Sequence, residues 1–325
     1  MFTILRCFKK FLAATRFRFI LLTKIGFSYD NMVLCFQISQ TLLILVFCFV
    51  TCHLSVIRYK QANSDFITDL LRQEDMVEYL NEALRPRNLI AAPDAGFCKD
   101  IKFLVMVLTK PDDFDTRQLW RKTYGDISLM TKHRYRLMFL IGVRPGSENG
   151  TLLEEEIRSH GDLLQASYLD SYRNLVHKTL SGMRYFATAC PDVRTLVKID
   201  DDVAWNVTKV SSFIERNVVP GVIYCHSYAT KSEWPSYYYP KYCSGVGYIA
   251  HKCAVLRMLQ AVPQSEFFWV DDIFTTGVLT EKSKVPLYDI NNAVEIFKEN
   301  ATKLDSKTMF HLTKQANVGI SFVSI

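Results

Sequence analysis

Three short apolar runs set the strongest limit on how this chain can fold. They are IKFLVMVLT at residues 101–109, YRLMFLIGV at 135–143 and RTLVKI at 194–199. Each is dominated by apolar residues, many of them branched, and reads as a strand covered on both faces. Between the second and third runs, Tyr172, Leu175, Val176, Thr179, Met183, Phe186 and Cys190 recur with a helical period. That spacing gives a helix with one apolar stripe turned towards a sheet. Strand, helix and strand in alternation predict an α/β domain with a mainly parallel sheet. Ligands of such sheets bind beyond the carboxyl ends of the strands.

The third run leads directly into Asp200, Asp201 and Asp202. Carboxylates this close raise one another's pKa unless positive charge lies among them. A hard divalent cation with oxygen ligands would supply it, and a solvated turn is the plainer alternative. A second pair, Asp271 and Asp272, follows the apolar stretch FFWV. In a pocket beside a metal one of these could act as a general base. At a helix start the same carboxylates would simply favour the helix dipole. The stretch YYYPKYCSGVGYIAH brings tyrosines, which make platforms for sugar rings or bases, next to Gly245 and Gly247, where a backbone can approach a ligand. A turn before a strand accounts for it equally well.

Six basic residues and one acid in the first thirty positions carry five of the net +6 charges. The remainder is nearly neutral and shows no basic face with interleaved aromatics, so a nucleic-acid partner is not expected. Residues 32–57 contain no Asp, Glu, Lys or Arg, a length suited to crossing a bilayer. A buried core helix is the competing reading. Basic residues before this segment and acids after it predict a cytosolic N-terminus. The expected organisation is a cytosolic tail (1–31), a transmembrane signal anchor (32–57), a lumenal stem (58–97) and a globular domain (98–325). Triplets for N-glycosylation at Asn149, Asn206 and Asn300 fit a lumenal domain. Five cysteines follow the anchor without a CxxC pair, so disulfides are allowed and one cysteine is left over, free or joined to a second chain.

Read in order, these segments resemble the β1,3-galactosyltransferase-like family of Golgi enzymes, which includes β1,3-N-acetylglucosaminyltransferases and fringe-like proteins. FLVMVLTKPDDFDTRQLWRKTYG is similar to the opening strand and the R-x-x-I-R-x-T-W-G stretch, with Arg117, Arg121, Thr123 and Gly125 in place. Glu156, Asp162, Asp170, Tyr172, Asn174, Lys178 and Thr179 follow the pattern of the next segment. CPDVRTLVKIDDDVAWN, YPKYCSGVGYIA and VDDIFTTGVL are similar to the metal motif, the Y-P-P-Y-C-S-G-x-G-Y segment and the E-D-V-x-x-G segment. Trp120, Tyr124 and Asp271 stand where the pattern has Ile, Trp and Glu.

The resemblance implies a GT-A fold and inverting transfer of galactose or an N-acetylhexosamine from a UDP-sugar to a glycan on a glycoprotein or glycolipid, in β1,3 linkage. It implies Mn²⁺ as cofactor, with Asp202 and His311 as ligands. Arg117, Arg121, Lys178, Asp200, Asp201, Gly245 and Gly247 are expected around the donor, and Asp272 as the base. The implied setting is the Golgi membrane, single-pass type II with the domain lumenal, and a dimer, disulfide-linked or not, is a possible assembly. The alternative is a lumenal sugar-binding protein or chaperone of the same fold without activity.

Overall fold

The computed structural model describes residues 89–144, 150–228, 239–296 and 307–312. The tail, the anchor at 32–57 and most of the stem lie outside these residues, as do Asn149 and Asn300. Among the described residues no helix is long and apolar enough to cross a membrane.

The main sheet is built from β1 (Leu89–Ala91), β2 (Phe103–Leu108), β3 (Tyr135–Val143), β4 (Leu163–Leu169), β5 (Thr195–Asp200), β7 (Ile223–Tyr228), β8 (Tyr242–His251) and β9 (Leu287–Asp289). A smaller sheet joins β6 (Val203–Trp205), β10 (Val294–Ile296) and β11 (Phe310–Leu312). Strand order in the main sheet is β1-β4-β3-β2-β5-β8-β7-β9. The pairs β4/β3, β3/β2, β2/β5 and β7/β9 are parallel, whereas β1/β4, β5/β8 and β8/β7 are antiparallel. The sheet is therefore mixed and mainly parallel, as the alternating runs predict.

The segment read as stem up to residue 97 enters the sheet earlier than that boundary. β1 pairs with β4, and the Tyr185 hydroxyl donates to the Pro93 carbonyl at 3.2 Å.

All six residues of β2 are buried, which follows from helices covering both faces. Leu104, Met106 and Leu108 point to one side, where they pack with Val176, Leu180, Met183 and Phe186. Phe103, Val105 and Val107 point to the other, towards Trp120, Trp205, Val207 and Val210. The helices, in chain order, are α1 (Phe114–Thr123), α2 (Ile127–His133), α3 (Gly150–His160), α4 (Leu175–Ala189), α5 (Val207–Asn217), α6 (Lys252–Ala261) and the short α7 (Leu279–Ser283). The repeat read from Tyr172 to Cys190 is a short 3-10 turn at Tyr172–Asn174 followed by α4.

Two disulfides settle the cysteines: Cys98–Cys190 and Cys225–Cys243. Cys253 is free and buried. Among the described residues no cysteine is thus left at the surface for a link to a second chain, so a disulfide-linked dimer through this domain is not supported.

Topology places the site. Connections from β2 run outward to β3 and β4, then α4 carries the chain back to β5 on the other side of β2. The crevice where the direction changes, at the carboxyl ends of β2 and β5, is where open α/β sheets bind ligands. Leu108 and Asp200 are register partners there.

Candidate active site

Asp200 is the last residue of β5, and Asp201 and Asp202 form the turn into β6. Aromatic residues support this turn from below. Trp120 donates its indole N–H to the Asp201 carbonyl at 3.0 Å, and the Tyr124 hydroxyl accepts the Trp205 amide at 3.2 Å. Rings of Trp120 and Tyr124 meet at 4.8 Å between centroids, and those of Tyr124 and Trp205 at 5.5 Å. Both substitutions from the family pattern on α1 and just after it therefore belong to one packed aromatic cluster.

The second acid pair arrives from across the sheet. Gly245 on β8 lies against both acids: a Cβ added to it would meet Asp272 Oδ2 at 2.8 Å and Asp200 Oδ2 at 3.0 Å. Any side chain here would displace a carboxylate, so glycine is what allows the two acid segments to converge. Asp271 turns inward instead. It is 7% exposed, and its Oδ2 accepts the Thr179 hydroxyl at 2.7 Å. The chain continues as a π-helix over Ile273–Val278, where the Thr275 and Thr276 hydroxyls donate to the Asp271 and Asp272 carbonyls.

Lys198, in the middle of the apolar run of β5, is the residue that the motifs did not single out. It is 1% exposed. Its ammonium pairs with Asp200 Oδ1 at 2.7 Å, donates to the Gly245 carbonyl at 3.2 Å and lies 3.9 Å from Asp272 Oδ1. Burial alone would lower its pKa, but Asp200, Asp272 and Asp271 together raise it and keep it charged. A lysine inside an otherwise apolar strand is the signal that could have revealed it, since lysine is almost never fully buried without a partner.

Of the residues expected to form the site, the structure gathers Asp200 and Asp201 from the donor set, Asp202 from the metal set, Gly245 and the expected base Asp272 into one place, and gives the others different surroundings. Arg117 is fully buried, paired with Glu156 at 2.6 Å and donating to the carbonyls of Lys110 and Pro111. Arg121 holds Asp162 through two bonds of 2.8 Å and Glu156 at 2.7 Å. Both guanidiniums thus belong to an internal ion-pair network that fastens α1 to α3. Lys178 is 3% exposed and bonded to Asp170 and the Thr109 carbonyl, close enough to Asp201 and Asp200 to feel their charge. Gly247 is a packing glycine, where a Cβ would meet Phe310 at 3.1 Å. His311 is carried beside the acidic turn by β11, which pairs antiparallel with β6 so that His311 faces Ala204. Its Nδ1 lies 3.4 Å from Glu295.

The carboxylates titrate unusually. Burial first, then Asp272 and Asp200, push Asp271 up to about 7, against the pull of Lys198. Burial, with Asp200 adding to it, pushes Asp272 up to about 6. Asp201 is likewise raised by burial and by its two neighbours to about 6, and Asp202 is raised by burial and by Asp200. These carboxylates remain raised although Lys198 lies among them and Lys178 lies within reach of Asp200 and Asp201. Among the described residues no three His, Cys, Asp or Glu side chains are disposed to hold a metal by themselves, so a cation here would need oxygens from a ligand or water as well.

The raised values fix a pH dependence. A group whose folded pKa exceeds its unfolded value stabilises the fold below the unfolded pKa and loses that contribution as pH rises through the folded one. The thermal midpoint of the full chain, in chelator, should therefore fall from about pH 5 to about pH 7.5 through Asp271, Asp272 and Asp201. Scanning calorimetry showing a rising midpoint over that interval would contradict this assignment.

A mainly parallel sheet whose carboxyl ends gather acids from two distant segments is the arrangement that the sequence patterns predict. The chain belongs to the galactosyltransferase family, whose sequence model matches residues 115–291. It is 26% identical over 236 residues to an acetylgalactosaminyl-O-glycosyl-glycoprotein β-1,3-N-acetylglucosaminyltransferase of Mus musculus, covering 66% of this chain and 60% of that protein. It is 30% identical over 234 residues to β-1,3-galactosyltransferase 4 of Rattus norvegicus, covering 58% and 63%, and 24% identical over 226 residues to β-1,3-galactosyltransferase 5 of Homo sapiens, covering 65% and 73%. The match therefore spans about three fifths of the mouse and rat proteins.

Proposed function

We propose that this protein is an inverting glycosyltransferase that moves galactose or an N-acetylhexosamine from a UDP-sugar to a hydroxyl of a glycan on a glycoprotein or glycolipid, in β1,3 linkage. The observation that carries the reading is the convergence of Asp272 and Asp200 on Gly245 at the mouth of the sheet. The family's relatives, described as β-1,3-galactosyl- and β-1,3-N-acetylglucosaminyltransferases, support it. The domain takes the role of a GT-A unit, and the charge asymmetry around residues 32–57 supports a single-pass type II anchor in the Golgi membrane.

Asp272 is the base. Its side chain is about one third exposed, and its raised pKa makes it a better proton acceptor than an ordinary aspartate. As the acceptor hydroxyl gives its proton to Asp272, the acceptor oxygen bonds to the anomeric carbon. The bond from that carbon to the diphosphate oxygen breaks, and its electron pair leaves with UDP. Attack and departure from opposite faces invert the anomeric centre. Asp271 is more deeply buried, and burial favours its protonated form against the opposing hydrogen bond from Thr179, so Asp272, which faces the open site, is the carboxylate placed to take the proton.

The acidic turn fits a hard cation. Its donors are carboxylate oxygens, and the pKa values of Asp201 and Asp202 are raised first by burial and then by the neighbouring carboxylates, a repulsion that a cation would relieve. Asp202 would hold Mn²⁺ together with diphosphate oxygens, and His311 lies on the neighbouring strand. Such an ion offsets the charge that builds on departing UDP. Asp200 and Asp201 would flank the ribose and diphosphate.

The test is a hydrolysis screen of the full chain across UDP-sugars with Mn²⁺, run alongside Asp202→Ala. One sugar should be turned over, and the variant should lose both Mn²⁺-dependent UDP binding and turnover. Absence of turnover with every UDP-sugar and a broad acceptor panel would favour the sugar-binding protein without activity.

A further inference from the structure

Behind the acids, on the other side of α4, lies a second recess of about 430 Å³. It is lined by Tyr168 of β4, by His177, Ser181 and Arg184 of α4, and by Ser265 and Phe267 of the loop after α6. The helix separates the two places by its own geometry. Thr179 reaches Asp271, whereas His177, two positions earlier and so on the opposite face, reaches Phe267.

The recess is built around supported rings. Phe267 stacks on His177 at 5.5 Å between centroids with planes 14° apart, and His177 in turn stacks on Tyr168 at 6.3 Å. Phe267 also meets Phe274 at 5.6 Å with planes 50° apart, yet remains 52% exposed. Burial, then the charge of Arg184, hold the His177 pKa below its ordinary value, so this ring is neutral and stacks as an aromatic. A large apolar ring kept half in water while two others pack against it is a ready contact surface. Polar atoms fringe it. The hydroxyls of Ser181 and Ser265 donate to the carbonyls of His177 and Ala261, which leaves their oxygens available as acceptors. A flat, half-apolar partner edged with hydroxyl donors satisfies both sets of groups, and a pyranose ring has that form. A purely apolar chain would cover the serine oxygens without bonding them.

The recess is also joined to the acids. Residues 267–272 run from Phe267 to Asp272, and midway along them Trp269 meets the Tyr172 ring at 5.9 Å and the Arg173 guanidinium at 5.1 Å. Tyr172 is 72% exposed. Exposed aromatics therefore mark a path from the base outward to the recess.

We propose that this recess is an acceptor subsite that takes a sugar ring one or more units away from the hydroxyl that is glycosylated. The inference rests on the transferase reading and adds to it that the acceptor is an extended glycan, held at both ends of the 267–272 segment.

The experiment compares N-acetyllactosamine with its tetrasaccharide as acceptors for the full chain, for Phe267→Ala and for Phe267→Tyr. The wild type should show a KM lower by about tenfold for the longer acceptor, the scale of one good ring contact. In Phe267→Ala the ratio of the two KM values should fall to about one, and Phe267→Tyr, which keeps the ring, should restore it. No length preference in the wild type, or an unchanged preference in Phe267→Ala, overturns the subsite. If neither acceptor is glycosylated, the transferase reading fails for these acceptors, and saturation-transfer NMR with the tetrasaccharide decides the subsite alone. Ring contacts seen in the wild type and lost in Phe267→Ala support it, and equal signals or none in both overturn it.

Discussion

Replacing Asp272 by asparagine should reduce turnover by roughly 10²-fold or more, the usual scale for a general base, while Mn²⁺-dependent binding of UDP stays close to that of the wild type. The amide has nearly the shape of the carboxylate, so it can occupy the space against Gly245 without disturbing β8. It cannot take the proton of the acceptor hydroxyl. Steady-state kinetics with a saturating acceptor, paired with calorimetric titration of UDP, separates the two effects. Equal turnover in Asp272→Asn and wild type would remove Asp272 from the mechanism. A parallel loss of UDP affinity and turnover would assign it to donor binding instead.

The largest effect on stability is expected at Lys198. Lys198→Met keeps the length of the side chain and removes the cation that faces Asp200 and Asp272. The carboxylates left behind are 37% and 30% exposed, so water screens part of their charge and the cost should be about 1–3 kcal/mol, below the roughly 3–5 kcal/mol of a fully buried pair. The loss should be greatest near neutral pH and smaller in acid, because protonated Asp271 and Asp272 no longer need a cation beside them. Denaturant unfolding at two pH values measures both parts. A change under about 1 kcal/mol at neutral pH would show that solvent rather than Lys198 balances the acids.

Much of this architecture is written in local pattern. The run 135–143 is β3 at its full length, and the apolar runs of β2 and β5 are displaced from their strands by no more than two residues at either end. These strands are covered on both faces, so sequence and burial carry the same signal. The helical period after Ser171 likewise survives as α4, because one stripe packs on the sheet. Asp200 and Asp272 were legible because each acid cluster follows an apolar run that ends at the sheet's mouth.

What was not legible depends on partners distant in sequence. Arg117 and Arg121 carry the same charge whether they grip a diphosphate or Glu156 and Asp162, and only the fold shows that the acids of α3 and the turn after it reach them. Gly245 and Gly247 are two residues apart on one strand, yet the first meets carboxylates and the second meets Phe310 from another sheet. Spacing cannot distinguish them. The early start of the sheet at Leu89 was hidden by a three-residue strand that pairs at an edge and buries little.

The bond between Cys225 and Cys243 has a consequence for how the protein must be made. Cys243 gives its amide to the Thr276 hydroxyl at 2.8 Å, and that hydroxyl gives its own proton to the Asp272 carbonyl. The position of Asp272 is thus linked, in two hydrogen bonds and one covalent step, to strand β7. A hydrophobic core can hold the sheet, but this link to Asp272 forms only where thiols are oxidised. Recombinant material from a thiol-reducing cytosol would carry the right chain without that link, so the choice of expression host bears on every measurement made at Asp272.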